Sequence, residues 1–318
     1  MDLQLDFIWA SLHLCGVYVI ITLAFLGGNV RILHITDTEN NNLNKLTLDN
    51  NIANTESNIF LYKHNDIDYV LKELDDFNKN KWNNKIRTLL SIDNNRIFVP
   101  DYFIKPEFLV LSGYKLKYWA SRKINGINFN SILDNSNISL EVKKKYLKRI
   151  GYILKHMDYI RRSTILNDFY IGDLHESNFI IDKYGKLLVC DIDSMKINGN
   201  KSSVSKYINP FSLFSKAGTK KYRLDTSPNR VADYLIDKNT DLYCYNIMIM
   251  NFLYGSIIND ITVEDFYRYL NYLDDIGIDY NMIDIFNKII LEEDNRNPCY
   301  YIDSLTDDKI VKARKKCK

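Results

Sequence analysis

The chain is poor in the residues that build disulfide frameworks and zinc sites. Only five of its 318 residues are cysteine, and they are scattered, odd in number and without the spacing of metal ligands. None of the five histidines pairs with cysteine or carboxylates at ligand spacing. A disulfide-rich scaffold and a zinc centre are therefore excluded, and a reducing compartment is the simplest inference.

A strong charge of either sign is also lacking. The formal net charge is +2, from 42 Lys+Arg and 40 Asp+Glu, so a general affinity for nucleic acid is not expected. With 46% hydrophobic and 26% charged residues, the chain can bury a substantial core. Its length suits one bilobal unit or two small domains.

The most specific pattern consists of Tyr170-Ile-Gly-Asp-Leu-His-Glu-Ser-Asn178 and Leu187-Leu-Val-Cys-Asp-Ile-Asp193. Residues 179–182 and 186–190 are short apolar strand candidates, and the turn between them contains a glycine. This arrangement predicts a β-hairpin. Such a hairpin brings Asn178, at the start of one strand, close to Asp191, at the end of the other.

These residue types suit a magnesium ion and a phosphate chain. Mg²⁺ prefers oxygen ligands, and it is usually held by one or two protein groups while nucleotide phosphates supply other ligands. Asn178 and Asp191 fit that role. Asp173 lies five residues before Asn178, near enough to face the same cavity and accept a proton from an attacking hydroxyl. The pattern therefore predicts phosphoryl transfer.

The order Asp173, Asn178 and then Asp191-Ile-Asp193 resembles the catalytic loop and metal-binding segment of the protein-kinase-like superfamily. The resemblance implies an α+β, bilobal protein-kinase-like fold with a small β-rich N-lobe and a larger, mainly helical C-lobe. The sequence Gly172-Asp-Leu-His175 is similar to the corresponding motif of aminoglycoside and choline kinases and of some divergent bacterial protein kinases. The residue directly before Asp173 is Gly172, where many protein kinases have arginine. By the same resemblance, this implies activity that does not depend on a phosphorylated activation loop.

On the nucleotide side, residues 58–63 and 68–74 are predicted strands joined by a turn. The resemblance then gives Lys72 the role of the lysine that holds the α- and β-phosphates. Two features depart from the family. Residues 52–58, at the position of the phosphate-covering loop, contain no glycine, and the helix predicted at residues 78–92 has no acidic residue to pair with Lys72.

The remaining segments follow the same order. The expected divisions are an apolar segment at residues 1–30, an N-lobe with an Asn-rich lead-in at 31–122, a C-lobe at 123–308 and a basic tail at 309–318. Within the N-lobe, residues 97–103, 108–111 and 114–119 are predicted strands. Residues 123–133 resemble the crossover between lobes, where backbone groups would hold the adenine. Residues 40–54 are expected to be a linker. The tail is expected to be a frayed end, with a membrane or partner contact as the less favoured alternative.

In the C-lobe, residues 140–162 are predicted to form a long amphipathic helix, whose basic run at residues 143–145 is expected to be a solvated surface. Asp241 opens another apolar helix, either as a cap or, as the resemblance implies, as an anchor for the catalytic-loop backbone. Two further helices are predicted at residues 263–276 and 280–292. The turn containing Arg296 resembles one found late in protein kinases, which favours those over small-molecule kinases.

The N-terminal segment does not belong to the kinase pattern. Residues 7–28 carry no formal charge and are long enough to cross a bilayer. Asp2 and Asp6 precede this segment and Arg31 follows it, so the charge bias would put the catalytic domain in the cytoplasm, membrane-anchored if the segment spans. A packed helix is the alternative.

We therefore expect an ATP-dependent kinase that transfers the γ-phosphate to a Ser/Thr hydroxyl of a protein, with Mg²⁺ or Mn²⁺. The expected roles are Asp173 as base, Asn178 and Asp191 as metal ligands, and Lys72 as a brace for the phosphates. His175 either approaches the transferred phosphate or is a packed loop histidine. The expected partners are ATP and a protein substrate, with no nucleic acid and with membrane contact only through residues 7–28.

Two alternatives remain open at this level. The motif Gly172-Asp-Leu-His175 suggests a small-molecule kinase of the aminoglycoside or choline type. The absent glycines and the missing acidic helix residue suggest a pseudokinase that acts as a scaffold.

Overall fold

Residues 31–45, 58–74, 100–113, 115–163, 169–192, 195–197, 238–256, 258, 261–291 and 296–315 are described by a computed structural model. The fold is α+β, with a mixed six-stranded sheet and helices. The chain divides into two units, Met1–Asn125 and Gly126–Lys318, three residues from the predicted N-lobe boundary at residue 122. Several predictions fall outside the described residues. They are the N-terminal span, residues 46–57 of the predicted linker and phosphate-covering loop, the predicted helix at 78–92 and residues 97–99 of a predicted strand.

The first unit contains β1 (Arg31–Ile35), α1 (Asp37–Asn41), β2 (Asn44–Lys45), β3 (Ile59–His64), β4 (Ile67–Glu73), β5 (Pro106–Ser112) and β6 (Lys115–Arg122). The strands form one sheet in the order β1-β5-β6-β4-β3-β2, in which β1 runs parallel to β5 and the other pairs are antiparallel. Alternate residues of these strands, among them Leu71, Val110 and Tyr118, build a buried apolar cluster. The sheet therefore has a well-packed face.

The predicted hairpin that carries Lys72 is confirmed. Its two turn residues, Asn65 and Asp66, both have a positive φ, 48° and 60°. A two-residue turn with this geometry has the twist that antiparallel strands need, and Asn and Asp tolerate the conformation better than most residues. The register then follows, with Lys72 paired to Ile59 on β3.

The described part of the linker predicted at residues 40–54 has regular structure. Residues 40–45 contain the end of α1 and β2, and α1 begins with a capping box between Thr36 and Glu39. The Asn40 side chain accepts a hydrogen bond from the Tyr118 hydroxyl at 2.7 Å, which ties α1 to the sheet. Residues 100–105 also differ, because they form no strand beyond an isolated bridge at Phe103.

The second unit contains β7 (Gly126–Asn128), α2 (Phe129–Asp134), α3 (Leu140–Ser163), β8 (Phe169–Tyr170), β9 (Phe179–Asp182), β10 (Leu187–Val189), β11 (Lys196–Ile197), α4 (Lys238–Tyr254), α5 (Val263–Asp275), α6 (Tyr280–Leu291) and α7 (Asp307–Lys315). Three strands pair in the order β10-β9-β7, and β8 pairs with β11. The predicted helices at α3, α4, α5 and α6 are confirmed. α4 is buried on nearly all sides, which explains why its sequence is apolar all round.

The basic run on α3 is not the solvated surface that was expected. Lys143 and Lys144 are buried. The Lys143 ammonium donates to Leu133 O at 2.7 Å, and the Lys144 ammonium donates to Leu305 O at 2.9 Å. Burial lowers the pKa of Lys143 from its ordinary value. These cations therefore tie α3 to main-chain carbonyls, as long side chains with a polar tip can do.

The C-terminal segment, expected to be a frayed end, forms α7. Ile310 and Ala313 are buried, and the Arg314 guanidinium donates to Phe252 O on α4 at 2.8 Å. Residues 316–318 lie outside the described part of the chain. Within that described part, no helix is both long enough and apolar enough to cross a membrane.

Replacing Lys144 tests whether the buried lysines stabilise the second unit. We expect Lys144→Ala to lower the free energy of unfolding by roughly 1–3 kcal/mol, because Leu305 O loses its buried donor. The neighbouring, exposed Lys145 provides the control, and Lys145→Ala should change stability by less than about 0.5 kcal/mol. Urea denaturation measures both, and equal losses would contradict the assignment.

Candidate functional site

The loop from Ile171 to Asn178 connects two short strand pairs. Before it, β8 pairs with β11, with Tyr170 opposite Lys196. After it, β9 pairs with β10, with Phe179 opposite Val189. The loop therefore enters and leaves through hydrogen-bonded strands, and its ends are fixed by the main chain.

The hairpin predicted at residues 179–190 is confirmed, and it joins the two segments of the sequence pattern. The Cys190 N–H donates to Asn178 O at 2.9 Å. Asp191 follows Cys190 directly, so Asn178 and Asp191 are separated by one residue and one main-chain hydrogen bond. The main chains of Asn178 and Asp191 are therefore close, as the predicted hairpin requires.

A tight turn at Gly172 sets the direction of the loop. The Asp173 N–H donates to Ile171 O at 2.8 Å, and Gly172 between them has a φ of 72°. This is a γ-turn of the form that is strained for residues with a Cβ. Glycine at this position allows the chain to turn immediately before Asp173.

Asp241 anchors the start of the loop, as the resemblance implied. Its two carboxylate oxygens accept from the N–H groups of Ile171 and Gly172, at 2.9 and 2.8 Å. α4 begins at Lys238, so Asp241 lies in the first helical turn, where the helix dipole favours a negative charge. The carboxylate is almost fully buried, and both oxygens serve the loop backbone.

Asn178, a predicted metal ligand, is held in a fixed orientation by the loop. Its Nδ2 donates to Asp173 O at 2.8 Å, and the residue is 9% exposed. Because Nδ2 is committed as a donor, the orientation of the amide is fixed. The remaining Oδ1 is a hard oxygen of the kind that Mg²⁺ binds.

Asp191 adopts a backbone conformation that is unusual for a residue with a side chain. Its φ is 60°, in the left-handed region, which residues other than glycine adopt rarely, although Asp adopts it more readily than most. Ile192 beside it is fully buried. Conformations of this kind persist only where surrounding contacts impose them, and they are common at functional sites.

His175 contacts the predicted base, Asp173. Its Nδ1 accepts from the Ser177 N–H at 3.2 Å, so in the neutral ring the proton is on Nε2. Nε2 lies 3.7 Å from Asp173 Oδ1, slightly beyond hydrogen-bond length. The His175 ring is therefore held in the loop by the Ser177 N–H, with its Nε2 near the Asp173 carboxylate.

Lys72 belongs to the first unit. It lies on β4 opposite Trp119 on β6, and its ammonium is 6.0 Å from the centroid of the Trp119 ring. The ring is buried against Leu109, Leu74 and Leu116. A buried tryptophan face attracts a cation, so Trp119 restrains Lys72. Sequence reasoning did not select Trp119, although the alternation of β4 and β6 places both residues on one sheet face.

Four of the five predicted site residues are thus brought together on the second unit: Asp173, His175, Asn178 and Asp191. Asp193, the last residue of the sequence pattern, lies outside the described residues. Among the described residues, no group of three or more His, Cys, Asp or Glu could hold a metal by itself. The set offers one amide and one carboxylate, which suits a cation whose other ligands come from phosphates.

No family model matches the chain, and no curated protein matches it. Its function is therefore inferred from the geometry of residues 171–191 and from the sequence.

Replacing Asp241 tests its role as the anchor. Asp241→Asn should reduce the free energy of unfolding by roughly 1.5–3 kcal/mol, because an NH₂ group would face one of the two loop N–H donors. Asp265, in the first turn of α5, offers a control, because it is exposed and its carboxylate contacts the side chains of Thr262 and Arg268. Chemical denaturation of Asp265→Asn should show a much smaller change, and a comparable change would contradict the anchoring role.

Proposed function

We propose that the chain is an ATP-dependent kinase of the bilobal protein-kinase-like fold, transferring the γ-phosphate to a Ser/Thr hydroxyl of a protein. The observation that carries the proposal is the hydrogen-bonded connection from Asp173 through Asn178 to Cys190, which precedes Asp191. It assembles a base and two oxygen ligands in a short segment. Phosphoryl transfer needs little else from a protein beyond positioning and charge neutralisation.

The donor set fits a magnesium ion with a nucleotide. Asn178 would hold the ion through Oδ1 and Asp191 through its carboxylate, with phosphate oxygens completing the coordination. When bound, the ion neutralises charge on the phosphates. Mn²⁺ has similar ligand preferences and would serve as a substitute.

Asp173 would act as the base for the acceptor hydroxyl. The γ-turn and the Asn178 bond to its carbonyl fix its main chain, so its carboxylate can orient the hydroxyl and take up its proton. His175 positions that carboxylate from the same loop. Lys72, on the first unit, would bind the nucleotide phosphates, as the resemblance implies.

The order of elements supports the same proposal. A β-rich unit carrying the strand lysine precedes a helical unit carrying the loop and hairpin. The Asp241 anchor on α4 was implied by the kinase resemblance, and its two bonds to the loop add to the case. The choice of a protein as the acceptor, instead of a small molecule, is based on the resemblance of the turn at Arg296 to one in protein kinases. The Arg296 guanidinium pairs with Asp284 on α6.

A second candidate is a nucleotide-binding scaffold without turnover. One observation favours it: residues 52–58 contain no glycine and residues 78–92 no carboxylate, so two family features that position ATP are missing. ATP binding without phosphoryl transfer would distinguish this candidate from the kinase.

Transfer of label from [γ-³²P]ATP tests the proposed activity. The full chain is incubated with Mg²⁺ or Mn²⁺ and a generic protein acceptor, beside Asp173→Ala, Asp191→Ala and the control Asp265→Asn. We expect a loss of about 10²–10⁴-fold for Asp173→Ala, the size of a general-base contribution, and a severe loss for Asp191→Ala. The control should remain active.

Other outcomes separate the candidates. Thermal stabilisation by ATP with no transfer would favour the scaffold, or a small acceptor that was not supplied. Label transfer that survives both substitutions would contradict the assigned residues, and absence of any ATP effect would contradict nucleotide binding.

The role of His175 can be separated from its role in loop structure. His175→Asn keeps an acceptor that can cap the Ser177 N–H but removes the Nε2 donor near Asp173. We expect this variant to lower kcat about tenfold with little change in the KM for ATP, because only orientation of the base is lost. His175→Ala, which also removes the cap, should in addition lower thermal stability. Equal kcat for wild type and His175→Asn would remove His175 from the mechanism.

A further inference from the structure

One face of α3 carries an alternating row of cations and tyrosines that the proposed kinase site does not use. The row consists of Lys148, Tyr152, Lys155, Tyr159 and Arg162, spaced four, three, four and three residues apart. This spacing keeps all five on one side of the helix. Tyr152 is 45% exposed and Tyr159 66% exposed. We call these five residues the α3 ladder.

The cations of the ladder lie against aromatic rings. The Lys148 ammonium is 5.9 Å from the Tyr152 ring centroid. The Lys155 ammonium is 5.0 Å from the ring of Tyr300, which is itself 54% exposed, and it also contacts the Tyr300 hydroxyl. Contacts of this kind restrain the lysine side chains, so less conformational entropy would be lost when a partner binds.

The centre of the ladder lacks a negative partner among the described residues. Lys148 at one end pairs with Asp303, and Arg162 at the other pairs with Asp158. Lys155 between them contacts a phenol but forms no ion pair with any described carboxylate. An exposed cation that contacts Tyr300 and lies on the same helix face as Tyr152 and Tyr159 resembles the centre of a protein interface, where tyrosines supply much of the contact area.

We propose that the α3 ladder binds an acidic amphipathic helix of a partner protein. The alternating spacing repeats every seven residues, which is the period at which two helices meet along a seam. From Lys148 to Arg162 the ladder runs about 21 Å, the length of a four-turn helical segment. A carboxylate at the central heptad position would meet Lys155, the cation without a described carboxylate partner, and apolar side chains on either side would pack on Tyr152 and Tyr159.

A single-stranded nucleic acid fits the surface less well. Two of the three cations already pair with Asp158 and Asp303, which leaves one cation, Lys155, for a chain of phosphates. The formal net charge of the chain is only +2, so it offers no wider field to attract a polyanion. The proposal does not rest on the kinase activity.

Binding is measured by fluorescence anisotropy with the full chain and a labelled 21-residue synthetic peptide. The peptide carries glutamate and leucine alternating at heptad positions, and a scrambled peptide and labelled oligothymidine serve as comparison probes. We expect the heptad peptide to bind at least tenfold more tightly than either. Lys155→Glu and Tyr159→Ala should each weaken binding at least tenfold while leaving circular dichroism and the thermal midpoint unchanged.

The matched control is a cation and tyrosine elsewhere on the same unit. Lys183 lies 5.0 Å from the ring of Tyr184, which is 82% exposed, but the pair is isolated at a hairpin turn. Lys183→Glu and Tyr184→Ala should therefore leave peptide binding unchanged. A loss equal to that in the ladder variants would indicate non-specific charge attraction and overturn the proposal.

Charge exchange gives the most direct test. A variant with Lys148→Glu, Lys155→Glu and Arg162→Glu should lose the glutamate peptide and bind the same peptide with lysine in place of glutamate. The proposal is overturned if the wild-type chain fails to bind the glutamate peptide, or binds the scrambled one equally. Tight oligothymidine binding that depends on the ladder would assign the surface to nucleic acid and would also overturn it.

Discussion

The two hydrogen bonds accepted by the buried carboxylate of Asp241 determine where the candidate site can be. They fix the N–H groups of Ile171 and Gly172 against the first turn of α4, so the loop begins at a defined point on a helix that is buried on nearly all sides. A buried carboxylate is costly unless donors surround it. Here two main-chain donors and a helix N-terminus surround the charge, and the loop and the helix stabilise each other.

Main-chain hydrogen bonds then fix the positions of the other site residues relative to Asp241. The turn at Gly172 aims Asp173, the Asp173 carbonyl holds the Asn178 amide, and the Asn178 carbonyl holds Cys190 at the end of the hairpin. Every link uses at least one backbone group, and backbone groups lose little entropy when they are already held in strands and turns. A site of this kind is preorganised, and preorganisation is the main contribution that a protein makes to phosphoryl transfer.

Local patterns in the sequence predicted the parts of this assembly that depend on neighbours along the chain. Both hairpins have turn residues that suit their geometry, and the apolar periodicity of residues 140–162 predicted the helix α3. The two bonds from Asp241 join groups about seventy residues apart, and here the family resemblance, not the residue pattern, supplied the prediction. The burial of Lys144 could not be read from sequence, because its acceptor, Leu305 O, is provided by distant chain that only the fold brings near.

α3 connects these features because its different faces have different tasks. Its apolar side packs in the core, where Leu147 O accepts from the Tyr245 hydroxyl on α4 at 2.7 Å. Arg161 donates to Phe169 O at the start of the site segment, and Arg149 donates to Gly185 O in the hairpin turn. One helix thus holds both the entry to the loop and the turn of the hairpin, while its open face carries the α3 ladder. Because a helix of this length is stiff, a partner bound on the ladder would lie at a fixed distance from Asp173 and Asp191.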